Sequence, residues 1–257
     1  MIHSILLSLA LATQGAPVHA DLHPAEADVY VELGDVSALV TLLDGAPVLR
    51  MLRDARLKPL FDELGQSPER PLKELVQLAL SQSIPQAKPE TWFEGMRAAS
   101  FSLVALGPGS ETQAPVGFQL LIDFATADQA KALLACLLAE APKHESLSAS
   151  LPGVELLHLG DQASKDVWCV AVGSRVVVAS SSTKADDYAA RAEKKLAGLA
   201  SRDTFKKQLA MLEKPSGSPL LWFALSRPAI EIFKTTQKPE ELQTQLAFLD
   251  QIPADLN

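Results

Sequence analysis

The 257-residue chain holds only two cysteines, a single asparagine and no apolar run near the roughly twenty residues that span a bilayer. Each shortage excludes a class of protein. Two thiols, Cys136 and Cys169, cannot build a multi-bridge scaffold, and neither lies near a second Cys or a closely spaced His. Zinc sites and CxxC redox motifs therefore have no support. Cys136 falls in an Ala/Leu-rich helical pattern and Cys169 in a strand pattern, which is compatible either with a disulfide or with two small core residues. Basic blocks are missing as well. With a net charge of −8 the chain would repel a nucleic-acid backbone, so no nucleic-acid partner is expected.

What is present begins at the amino terminus. An apolar run over residues 5–12 gives way to Gly15, Pro17 and the small-residue exit Val18-His19-Ala20. This is the layout of a secretory leader, although no Lys or Arg precedes the run. The reading assigns residues 1–20 to a signal peptide, the mature chain to a start at Asp21, and the protein to the periplasm or the extracellular space. No stable membrane insertion is expected after cleavage.

The mature part alternates local patterns. Residues 29–33 read as a strand and residues 36–43 as a helix. Apolar positions at three- and four-residue steps predict further helices over residues 47–64 and 72–81. Strand-like runs at 101–106 and 116–124 flank a Gly/Pro loop. Thr126 and Gln129 form a capping-box signature for the helix that follows. Strands at 154–159, 167–172 and 175–180 come next, the last two joined by Gly173-Ser174, a type II′ hairpin signal. Helices are predicted over 184–196 and 203–212. After a Pro/Ser/Gly boundary at 214–219, Leu221 to Leu225 repeats the pattern of residues 29–33, and Pro239 falls on Pro47 at the same offset. The predicted fold is α+β, a largely antiparallel sheet with helices on one face. It divides into a domain at 21–214 and a partial second repeat at 215–257.

Few residue sets carry chemistry. Ser181-Ser182-Thr183-Lys184 matches the S-x-x-K of serine β-lactamases, but the companion Asn element is missing, since Asn257 is the single Asn. Ser182 or Thr183 reads instead as a helix N-cap. A Ser-His-Asp hydrolase would draw its base from His23, His144 or His158, none in a telling context. Arg50, Arg53 and Arg56 lie on one helix face interleaved with acids and read as solvated. Cleavage after Ala20 would free the amine of Asp21. With the amides of Leu22 and His23 and the His23 imidazole, it completes a four-nitrogen set suited to Cu(II) or Ni(II). No other metal or cofactor is expected.

Residues 22–64, with Pro24 and a Pro-initiated helix leading to Leu57-Lys58-Pro59-Leu60, resemble the start of a family of exported bacterial proteins described as a domain of unknown function. The Trp-bearing hairpin over 166–182 and Asp203-Thr204-Phe205 are similar to that family's later region. The resemblance implies an often duplicated α+β unit and no activity. The combined expectation is a non-catalytic binding or scaffold component of the cell envelope, partnered by an envelope protein or polymer. A hydrolase acting on an envelope polymer and an amino-terminal copper binder are the alternatives.

Overall fold

A computed structural model describes residues 19–45, 88–105, 116–159, 166–211 and 221–225. Predicted elements within residues 46–87, 106–115, 212–220 and 226–257 lie outside the described residues, as do residues 1–18 of the predicted leader. Arg50, Arg53 and Arg56 fall among them.

The described chain forms an α+β fold around one antiparallel sheet. Its strands are β1 (Val29–Leu33), β2 (Met96–Ala105), β3 (Val116–Phe124), β4 (Lys143–Ser146), β5 (Glu155–His158), β6 (Val167–Val172), β7 (Arg175–Ser180) and β8 (Leu221–Leu225). They lie in the order β4-β5-β6-β7-β3-β2-β1-β8, every neighbouring pair antiparallel. The helices are α1 (Val36–Asp44), α2 (Ala127–Glu140), α3 (Ala185–Ala192) and α4 (Asp203–Met211).

Local chemistry accounts for much of this. Gly173 has φ 59°, the positive value that the first central residue of a type II′ turn requires, so β6 and β7 close with only Gly173-Ser174 between them. Thr126 caps α2 through its side chain, which accepts from the Gln129 amide at 3.3 Å, and Gln129 accepts the Thr126 amide at 3.2 Å, a complete capping box. The α3 helix starts later than the sequence suggests. Its N-cap is Lys184, with no side-chain cap bond, because Thr183 Oγ1 instead donates to the Ser180 carbonyl at 2.8 Å and Ser182 Oγ pairs with Ser180 Oγ at 2.7 Å.

Alternation gives the sheet two faces, and both are covered. On one, Phe124 and Val176 pack with Ala130, Leu133 and Cys136 of α2, while Leu157, Val167 and Cys169 form an adjoining cluster. On the other, Leu121, Trp168, Val170, Val177 and Ala179 pack with Ala185 and Tyr188 of α3. Helices therefore lie on both faces, which corrects the expectation of one. Every residue from Val167 to Val170 is buried, a pattern that only cover on both sides produces. Leu221–Leu225, the start of the predicted second repeat, is β8 of this sheet. It pairs with β1, Val29 opposite Leu225 and Leu33 opposite Leu221, and extends the same sheet.

Candidate functional site: a buried polar row under the amino-terminal segment

The second face carries an anomaly at its centre. Along adjacent strands, Tyr30 pairs with Ser102, Glu32 with Ser100, Ser102 with Gln119 and Asp123 with Arg175, so short polar side chains share one face where apolar ones would be expected. Glu32, Ser100, Ser102 and Gln119 are all buried. Burial of polar groups on this scale is tolerable only when partners are supplied. Those partners come from residues 19–24, which include a single 3-10 turn at Ala20–Leu22 and cross β2 and β3.

His19 and His23 are the pins. His19 Nε2 lies 2.8 Å from Asp123 Oδ2 and its Nδ1 2.8 Å from Ser100 Oγ. His23 Nε2 lies 2.7 Å from the same Ser100 Oγ and its Nδ1 2.7 Å from Ser102 Oγ. The contacts form one chain, from Ser102 through His23, Ser100 and His19 to the Asp123 carboxylate, with Ser100 Oγ shared between the two imidazoles. Burial holds the His23 imidazole well below its ordinary pKa, with the positive charges of His19, Arg191 and Arg175 adding to the effect. Burial alone would raise the Asp123 carboxyl, but the hydrogen bonds and charges of His19 and Arg175 together outweigh it and hold the group well below the usual carboxylate range. Arg175 grips that carboxylate at both oxygens, Nη2 donating to Oδ2 at 2.8 Å.

The backbone of the segment is gripped as well. The Leu22 carbonyl accepts from Gln119 Nε2 at 3.0 Å and from Arg191 Nε at 2.9 Å, while Arg191 Nη2 donates to Gln119 Oε1 at 3.1 Å. Tyr30 donates to Glu32, and burial followed by the Glu32 charge pushes its phenol far above the ordinary range. Across the segment, Leu199 donates its amide to the His23 carbonyl at 3.0 Å. Among the described residues no buried side-chain nitrogen or oxygen lacks a partner.

The remaining sequence candidates fall elsewhere. His158, on β5, has Nδ1 3.2 Å from Asp166 and Nε2 3.8 Å from Glu145, without a serine. His144 is exposed on the edge strand β4. Cys136 and Cys169 form no disulfide and lie buried in separate clusters, and burial pushes the Cys169 thiol up to about 12. In this structure the residues of the Asp21-Leu22-His23 set are engaged elsewhere. The His23 Nδ1 that would ligate copper sits on Ser102, the Leu22 amide donates to the His19 carbonyl at 2.8 Å, and His19 and Ala20 precede Asp21 in the buried segment. Among the described residues no group of three or more His, Cys, Asp or Glu is placed to hold a metal ion. None of their helices is long and apolar enough to cross a membrane.

Sequence reasoning missed His19, Ser100, Asp123 and Arg175. His19 reads as leader, and Ser100 and Ser102 alternate with Phe101 and Leu103 like a solvated strand face. The usable signal is five polar side chains, Glu32, Ser100, Ser102, Gln119 and Asp123, at alternate positions of three strands otherwise rich in apolar residues. No protein-family description, curated protein or solved structure matches the chain.

Proposed function

We propose that the protein is an exported, non-catalytic binding or scaffold component of the cell envelope, whose partner is an envelope protein or polymer. The observation that supports this most is the use made of Asp123, His19 and Ser100. These three residue types in contact are the ingredients of an acyl-transfer enzyme, yet here Ser100 is 2% and His19 0% exposed. Both histidines are committed at both ring nitrogens, to Ser100, Ser102 and Asp123. The set serves as a tether. Export rests on the apolar run at the amino terminus and on Gly15 and Pro17, which end it.

The relay order itself favours a second reading, a hydrolase that acts when the segment lifts, since Asp123-His19 and His19-Ser100 are both 2.8 Å apart. A fluorophosphonate probe separates the two. The tether reading expects no adduct on Ser100 by peptide mass mapping, with native protein and a Ser100→Ala control indistinguishable. Stoichiometric, His19-dependent labelling of Ser100 would establish the hydrolase.

A further inference from the structure

We propose that leader removal leaves His19 in the mature protein, with the cut upstream of His19 instead of after Ala20. This rests on the export reading above.

The argument is complementarity. The peptidase acts on an unfolded chain, so burial does not itself shield the bond after Ala20. What the fold does hold is a socket shaped for His19. Ser100 Oγ stands 2.8 Å from one ring nitrogen and Asp123 2.8 Å from the other, and the two groups come from different strands. The His19 carbonyl accepts the Leu22 amide at 2.8 Å, and the His19 amide approaches Glu32 at 3.4 Å. Ala20, 1% exposed, packs with Ala27, Tyr30, Val104, Leu199 and Phe205. A cut after Ala20 would empty this socket. Asp123 and Ser100 would each lose one of two side-chain partners, and a charged amine would be created at Asp21. A strand face bearing Ser100, Asp123 and Glu32 is worth burying only with the imidazole that satisfies it.

Retaining His19 also keeps the Asp21 nitrogen in a peptide bond, so the four-nitrogen copper set never forms.

The test is intact-mass measurement of the full chain recovered from the periplasm of a bacterial host, with thermal unfolding of the same product and its His19→Ala variant. The expected result is a first residue at or before His19 and a Tm about 5 °C lower in H19A. A mass beginning at Asp21 overturns the proposal and leaves export standing. An unprocessed chain retained in the cytoplasm overturns the export reading and the proposal with it. An unchanged Tm in H19A overturns the socket argument whatever the mass.

Discussion

Gly198 has no unusual backbone angle, with φ −99° and ψ −179°, so any residue could adopt its conformation. Its constraint is steric. A β-carbon added there would lie 1.9 Å from the Asp21 carbonyl oxygen and 2.4 Å from its carbon, both backbone atoms of the tethered segment. Ordinary contact begins at 3.4 Å, so the two chains must separate by about 1.5 Å. That movement would break the Leu199-to-His23 hydrogen bond and the isolated bridge between Pro24 and Gly198. Two lost hydrogen bonds at ~1 kcal/mol each and an overpacking cost of ~1 to 3 kcal/mol give a destabilisation of about 3 to 5 kcal/mol for Gly198→Ala. Urea unfolding followed by tryptophan fluorescence measures it. Gly153→Ala is the matched control, because Gly153 has φ 75° but open space around its β-position, and only a backbone cost of ~1 to 2 kcal/mol is expected. A Gly198→Ala protein as stable as wild type, or more stable than Gly153→Ala, would refute the close approach of the two chains.

Acid should weaken the fold in two stages. His23 is held neutral in the folded state, so below its unfolded pKa of about 6.5 the unfolded chain binds a proton that the folded chain refuses. Stability then declines as pH falls from about 6.5 towards the depressed folded value, and the depressed Asp123 carboxyl adds a further loss below about 4. Urea midpoints between pH 7.5 and 5 should fall in the native protein and stay flatter in His23→Asn; equal slopes would remove His23 as the cause. Trp168, 1% exposed, donates Nε1 to the Thr183 carbonyl at 2.7 Å, so Trp168→Phe should cost about 2 kcal/mol through a lost bond and a void. A cost under ~0.5 kcal/mol in chemical denaturation would contradict that placement. Because Cys136 and Cys169 are buried thiols, a chromogenic disulfide reagent at pH 8 should titrate neither in folded protein and both after denaturation. Recovery of no thiol under denaturing conditions would show a bridge.

The parts of the fold legible in the sequence are those where side-chain period and turn chemistry agree. The β6-β7 hairpin, the capping box of α2, β1 and α1 all follow from local residues acting on their own backbone. Lys143–Ser146 escaped because this edge strand has no apolar residue and is exposed throughout, leaving no alternation to read. The sharing of helices between two faces depends on which strands become central, and that is set by the β3-β7 pairing, not by any local pattern. The polar row was illegible for a different reason. Its serines and carboxylates look solvated until histidines some 80 to 100 positions earlier are laid over them, a pairing that short-range rules cannot register.

The strand order also has a consequence for the sequence of events in folding. The β4-β5-β6-β7 meander draws on residues 143–180 alone, so its pairings close short loops. By contrast β1 meets β2 and β8 only across long stretches of chain, and the pins at His19 and His23 close loops of 77 to 104 residues. Loop-closure entropy makes the meander, with α2 beneath it, the early-forming half and the β1-β2-β3 half the late one. The β3-β7 seam is where they join. The amino-terminal segment would then be the last piece seated and the first released, and native-state amide exchange should find residues 19–24 opening well before the hairpin of β6 and β7.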